Sequence, residues 1–247
     1  MNNHIAIKKV IKPFDKIIEV SGDKSISIRS VLLASQAIGK SKIYNLLESE
    51  DVINSLKAIK QLGINYKKFK KFYEINGFGL DGYNTNKNIT IDAGNSGTLA
   101  RLILGLLVNS KKQIKLIGDK SLSKRDFLRV TTPLQKFGVN IVTKKNSLPV
   151  KIVGSEFLRP IKYKEKLGSA QCKSSVMLAA IKTPGKTTIE AKKSRDHTEL
   201  LFKYLKIPIK ILKTKNYDII KIVGPSNFNG FEYKIPGDIS SSSFFIV

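Results

Sequence analysis

An α/β fold of three β-α-β-α-β-β units with pseudo-threefold symmetry is predicted by three observations. A glycine-led motif recurs three times, the same kinds of element follow each copy at the same distance, and a fourth copy opens near residue 237. Internal repetition of this kind decides architecture before any local propensity does.

The motif reads Gly22-Asp23-Lys24-Ser25-Ile26-Ser27-Ile28-Arg29, then Gly94-Asn95-Ser96-Gly97-Thr98-Leu99-Ala100-Arg101, then Gly168-Ser169-Ala170-Gln171-Cys172-Lys173-Ser174-Ser175. Small polar residues suited to a helix N-cap lead in each case into an apolar run: VLLASQAI, LILGLLV and VMLAAI. These runs are apolar around much of the helix circumference, so the first helix of each unit is expected to be the most buried. Segments GKSKI, SKKQI and GKTTI follow, and from leading glycine to final Ile the spacing is 21, 20 and 21 residues (22 to 43, 94 to 114, 168 to 189). Second helices are predicted over 51–62, 126–137 and 196–205, with acidic residues near their starts to complement the helix dipole. Strand-like runs FYEING, PVKIVG and IIKIVG close the units at Gly77, Gly154 and Gly224. KIIEV, NITIDA and PIKYKEKL are strand candidates ahead of the leading glycines. The units span roughly 16–85, 86–154 and 155–225. Gly237-Asp238-Ile239-Ser240 restarts the motif 69 residues after Gly168 (168 to 237), and the run that follows stops at Val247, which reads as a truncation.

Composition narrows the function. The 247 residues carry 41% hydrophobic and 26% charged side chains, ordinary for a globular protein. No apolar run is long enough to cross a bilayer, the N-terminus lacks a signal-peptide core, and a single cysteine suits a reducing compartment, so the cytoplasm is expected. A net charge of +25 invites a nucleic-acid reading. The excess is nearly all lysine scattered over every kind of element, and its densest cluster, Lys67, Lys68, Lys70 and Lys71, has one aromatic, Phe69. A lysine-rich habit explains that pattern better than a DNA footprint. The residual inference is a preference for anionic ligands.

Each motif gathers free backbone N–H groups and the positive end of a helix dipole, an arrangement that attracts anions. One copy alone is no more than a turn with an N-cap. Three copies that also carry Lys24, Arg29 and Gln171 point to a shared site. Ser25 and Arg29 lie four apart on one helix face, with Lys24 at its entrance, and ammonium, hydroxyl and guanidinium together suit phosphate or carboxylate. Arg101 is the counterpart of Arg29, but its apolar helix favours structural pairing. His4 and His197 read as a terminal residue and a partner to Asp196, not as catalysts.

SGDKSISIRS, LLESEDVINSLKAIKQLG, GNSGTLARLILGLL, GDKSLSKRDFLRV, GSAQCKS and SRDHTE, in this order from Gly22 onwards, resemble the 5-enolpyruvylshikimate-3-phosphate synthase family, in its form with SAQ in the third motif. The related UDP-N-acetylglucosamine enolpyruvyl transferases have Lys-Asn where this chain has Lys24-Ser25, and carry a loop cysteine where the sole Cys172 lies in the third motif. The resemblance implies an enolpyruvyl transferase-like domain over 16–234, with 1–15 and 235–247 as remnants of a second domain mostly missing. It implies transfer of the enolpyruvyl group of phosphoenolpyruvate to the 5-hydroxyl of shikimate 3-phosphate, with no metal or organic cofactor, no nucleic-acid or membrane partner, and a monomeric parent enzyme. By matched position, Lys24, Ser25, Arg29, Ser169, Gln171 and Arg195 would hold shikimate 3-phosphate, and Lys24, Gly97, Arg125 and Gln171 phosphoenolpyruvate. The general base is expected in the absent C-terminal half, so no catalytic residue is assigned and the 247 residues alone are expected not to turn over. Two departures stand out: Ile28 replaces the family's His before Arg29, and Asp126 replaces Pro after Arg125.

Overall fold

The computed structural model describes residues 17–246. The strand candidate at 16–20 therefore falls partly, and the remnant at 1–15 wholly, outside the described residues, as does Val247. The first unit contains α1 (Lys24–Ala34), β1 (Ile38–Tyr44), α2 (Glu50–Gln61), β2 (Asn65–Lys68) and β3 (Phe72–Phe78). The second contains β4 (Ile89–Asp92), α3 (Gly97–Leu106), β5 (Ile114–Ile117), α4 (Leu128–Gln135), β6 (Asn140–Lys144) and β7 (Ser147–Val153), with a 3-10 turn at Leu122–Lys124. The third contains β8 (Lys162–Glu165), α5 (Ala170–Ala180), β9 (Gly185–Lys192), α6 (His197–Tyr204), β10 (Ile209–Lys213) and β11 (Tyr217–Gly224), and is followed by β12 (Glu232–Lys234) and α7 (Ile239–Ile246).

Each unit forms a four-stranded mixed sheet, ordered β12-β1-β3-β2, β4-β5-β7-β6 and β10-β11-β9-β8. In the second and third, the strand before the first helix runs parallel to the strand after it, β4 with β5 and β8 with β9. The first unit differs from expectation. Residues 17–20 form no strand, and the outer place beside β1 is taken by β12, parallel, with Lys42 opposite Glu232. Lys42 N–H donates to Phe231 O at 2.8 Å and Ile235 N–H to Tyr44 O at 3.0 Å. The physical reason is continuity of pairing: residues 21–23 are drawn instead against 236–238, where Asp23 N–H donates to Pro236 O and Asp238 N–H to Ser21 O, each at 2.9 Å.

The first helices α1, α3 and α5 lie inside, as their apolar runs predict. Val31, Leu32, Leu102, Ile103, Leu104, Val176 and Met177 have no exposed surface. Full burial of such a side chain stabilises by about 1.5–3 kcal/mol. These helices also bury polar residues, including Ser27, Arg29, Ser30, Lys173, Ser174 and Ser175, so their contacts with one another are partly polar. The glycines that end each unit have one shared cause. A Cβ on Gly77 would stand 2.5 Å from Ala34 O, on Gly154 2.7 Å from Val108 O, and on Gly224 2.6 Å from Thr183 O. In each unit the closing strand passes directly against the carbonyls where the first helix ends, and that approach leaves no room for a side chain.

Candidate functional site

The N-terminal ends of α1, α3 and α5 are capped by their own motif residues. Asp23 Oδ1 accepts from Ile26 N–H at 2.7 Å, Ser96 Oγ from Leu99 N–H at 3.3 Å, and Ser169 Oγ from Cys172 N–H at 3.2 Å. The small polar residues after each leading glycine thus fix the helix start, Ser169 among them, while the other candidate residues of the motifs, Lys24, Ser25, Gly97 and Gln171, stand just beyond.

Between α3 and α5 the arrangement is tight. Gln171 Nε2 donates to Thr98 Oγ1 at 2.9 Å, and its Oε1 accepts from Arg101 Nη1 at 2.7 Å. Gly97 opens α3 beside two cations: a Cβ there would meet Arg125 Nη1 at 2.7 Å and Arg101 Nη1 at 2.9 Å. Burial lowers the pKa of Arg101, and its guanidinium also lies over the Phe127 ring at 5.4 Å. Arg125 is exposed and held by Asn95, whose Oδ1 accepts from Arg125 Nη2 at 3.1 Å while its Nδ2 donates to Asp119 Oδ2 at 2.6 Å. Asp119 is in turn held below the usual carboxylate range, chiefly by the Leu122 N–H. Asp126 directs Oδ1 to Leu128 N–H at 2.8 Å, so its carboxylate is occupied as a turn acceptor.

Between α1, α5 and α6 the arrangement is drier. Arg29 is only 4% exposed and donates to Thr198 Oγ1 at 2.9 Å, Ser25 O at 2.9 Å and Ser174 Oγ at 3.3 Å. It is therefore embedded in the junction of these helices. Burial brings its pKa down to about 10, against the pull of Glu199. Ile28 is wholly buried in the core, so the family's imidazole position is here a packing position. Lys24 is half exposed and pairs with Asp51 at 3.0 Å, at the start of α2. Ser25 is half-buried and Arg195 exposed. The charge of Arg195 reaches this junction, adding to burial in lowering the pKa of Arg29 and of His197. Ser169 donates its N–H to Glu165 Oε2 at 2.9 Å.

The fold thus brings Gly97, Arg125 and Gln171 into one corner, seats Arg29 against α5 and α6, and leaves Lys24 and Arg195 exposed near the same helix ends. Sequence reasoning missed the groups that hold these in place. Thr98, Asn95 and Asp119 orient the corner, and Glu165, 3% exposed, shapes the loop before α5 through Leu167 and Ser169 N–H groups. Thr198 and Ser174 hold Arg29, and beneath them Lys173 Nζ meets Glu199 Oε1 at 2.5 Å, both almost fully buried. Burial raises the pKa of Glu199 and the Lys173 ammonium opposes that rise. A signal for part of this set exists in the repeat itself: Ser25, Gly97 and Gln171 all stand three residues after their leading glycines. The arrangement offers guanidinium, ammonium, amide and hydroxyl donors at converging helix N-termini, which is chemistry for a multiply anionic ligand. Among the described residues no group of three or more His, Cys, Asp or Glu is placed to hold a metal ion, and no helix is long and apolar enough to cross a membrane.

Comparison with known proteins places the chain in a family. The sequence profile of EPSP synthase (3-phosphoshikimate 1-carboxyvinyltransferase) matches residues 8–247. The 3-phosphoshikimate 1-carboxyvinyltransferase of Ruthia magnifica subsp. Calyptogena magnifica is 42% identical over 245 residues, covering 97% of this chain and 55% of that protein. Its counterpart in Streptococcus mutans is 39% identical over 232 residues, covering 93% and 53%. An EPSP synthase structure from Acinetobacter baumannii superposes with a TM-score of 0.85 at 34% identity, covering 93% of this chain and 51% of that one. The chain spans about half the length of the curated relatives it matches. Profile, relatives and superposed fold all cover the three motifs and the helix ends they build, and the chain belongs to the EPSP synthase family.

Proposed function

We propose that this chain supplies the substrate-binding domain of a 3-phosphoshikimate 1-carboxyvinyltransferase, acting in the cytoplasm on shikimate 3-phosphate and phosphoenolpyruvate in a monomeric enzyme. The observation that carries the reading is the corner where Gln171 bridges Thr98 and Arg101 while Arg101 and Arg125 converge on Gly97. The Arg125 guanidinium beside a residue with no Cβ, with Gln171 held in place by Arg101, suits a compact ligand bearing phosphate or carboxylate.

In this reading Lys24, Ser25, Arg29, Ser169, Gln171 and Arg195 hold shikimate 3-phosphate, and Lys24, Gly97, Arg125 and Gln171 hold phosphoenolpyruvate. Arg29 acts from its buried seat, orienting the α1 entrance through Ser25 O as well as offering charge. The transfer adds a proton to the enol methylene carbon and the 5-hydroxyl oxygen to the adjacent carbon, the hydroxyl giving up its own proton, which ends on the released phosphate or in the medium. The tetrahedral adduct then loses phosphate as its C–O bond breaks, and the methyl carbon returns its proton. Fixed cations at the helix ends stabilise the phosphate as charge builds on it, without reorganising at that moment. No residue here is assigned to the proton transfers.

The test is calorimetric titration of the purified chain with shikimate 3-phosphate, alongside random duplex DNA over a salt series. Saturable binding of shikimate 3-phosphate is expected. Steep salt-dependent DNA binding with no shikimate 3-phosphate response would replace this reading with a nucleic-acid-binding one.

A further inference from the structure

At the opposite end of the central helices, where α3 and α5 terminate, lies a cavity of about 370 Å³ whose wall includes Leu80, Tyr83, Leu107, Asn109, Leu158 and Lys182. This volume falls in the lower part of the roughly 300–1,000 Å³ range of small-molecule pockets. Lys182 follows α5 and is only 7% exposed. Its Nζ donates to Leu80 O and, at 3.0 Å, to Asn109 Oδ1. Because Leu80 and Asn109 also line the cavity, the amine end of the side chain stands at the cavity wall. Asn109 is fixed in turn, with Nδ2 donating to Asp81 Oδ1 at 2.6 Å.

A neutral amine has two N–H donors and one lone pair, whereas an ammonium has three donors. Two acceptors face Lys182, and among the described residues it forms no salt bridge. The Tyr83 ring, 5.3 Å from Nζ, and the charge of Asp81 favour the ammonium, but burial outweighs them and brings the pKa down to about 7. The other charged groups at the cavity, Lys111 and Glu156, are exposed at its rim.

The surroundings select the ligand. Helix C-termini, Asp81 and Glu156 disfavour an anion, Lys111 disfavours a cation, and the wall mixes Leu80, Leu107 and Leu158 with Thr85, Asn109 and Ser110, which suits a small uncharged polar molecule. An unprotonated buried amine is a nucleophile toward carbonyl carbon. We propose that Lys182 is a covalent capture site for small uncharged aldehydes, which enter this cavity and form an imine on Nζ. The Nζ lone pair adds to the carbonyl carbon, and the former carbonyl oxygen leaves as water with the two hydrogens of the amine. One aldehyde is consumed, one water is released, and no oxidant or reductant takes part.

The experiment exposes the purified protein to propionaldehyde with cyanoborohydride, which reduces any imine to a stable secondary amine, and maps the label by peptide mass spectrometry. Exposed Lys87, Lys193 and Lys215 serve as internal references, cancelling the pH dependence of the reagents. At pH 7 the label on Lys182 is expected to exceed each reference at least about tenfold, because ordinary lysines titrate near 10.4. From pH 8 to pH 9 the ratio of Lys182 to reference label should fall about tenfold, since Lys182 is by then already largely free base while an ordinary lysine gains about tenfold across that interval. Label on Lys182 no greater than on the references at pH 7, or a ratio unchanged from pH 8 to pH 9, would overturn the proposal.

Discussion

A methyl group on Gly97 would stand 2.7 Å from Arg125 Nη1 and 2.9 Å from Arg101 Nη1, both far ends of flexible side chains. Gly97→Ala is therefore expected to fold, with the guanidiniums displaced outward. In an enzyme completed by its second half, phosphoenolpyruvate binding in the presence of shikimate 3-phosphate should weaken roughly tenfold, about 1.4 kcal/mol. Shikimate 3-phosphate binding alone should change little, and an equal loss for both ligands in calorimetry would remove Gly97 from the phosphoenolpyruvate side. Lys24 tests the other side. It is half exposed and its pair with Asp51 is screened, so Lys24→Ala should leave unfolding free energy within about 0.5 kcal/mol while weakening shikimate 3-phosphate binding by roughly tenfold or more. A urea midpoint lowered as far as by a core truncation would make Lys24 a structural residue.

At the scale of elements, α5 is joined to α6 by a buried charge pair and to α1 by hydroxyls around Arg29. Removing one partner leaves the other charged and dry, so Glu199→Leu or Lys173→Met should cost about 3–5 kcal/mol in urea unfolding. The double replacement Lys173→Met with Glu199→Leu should recover much of that loss; if it costs as much as both singles added, the pair is not coupled. The recurring glycines and the near-constant spacing to the following strand made the units legible in sequence, because each glycine answers a local demand of cap or close approach. Lys173 and Glu199 were not legible. Each reads as an ordinary helix charge, and only the packing of α5 on α6 dries them. Arg29 was legible as a cation facing the motif, but its burial depended on Ser174 and Thr198, residues 145 and 169 positions away. The outer strand of the first sheet was misread for the same reason, since the local candidate at 16–20 has the right composition and a distant segment takes the place.

For the whole molecule, Lys182 links the units, reaching Leu80 of the first and Asn109 of the second from the end of α5. Its folded pKa of about 7 lies below the ordinary lysine value near 10.4, so between those limits the unfolded chain binds more protons than the folded one. Its contribution to stability is thus full above the ordinary value, is lost as pH falls toward about 7, and is constant below. Comparing urea midpoints at pH 7 and pH 9, Lys182→Met should flatten this rise whatever its effect on absolute stability. An unchanged slope would show that Lys182 titrates normally in the folded protein. The sheet closed by β12 has a different consequence, in time. Lys42 and Glu232 lie 190 residues apart, and at roughly 5–20 residues per second a ribosome needs about 10–40 s to make the chain between them. The first unit to emerge is therefore the last to be finished, and for that interval β1 carries an edge lacking its eventual neighbour. Lys40 and Lys42, alternate residues of that strand, place two charges along it, the kind of guard that keeps a waiting nascent edge from pairing with another chain.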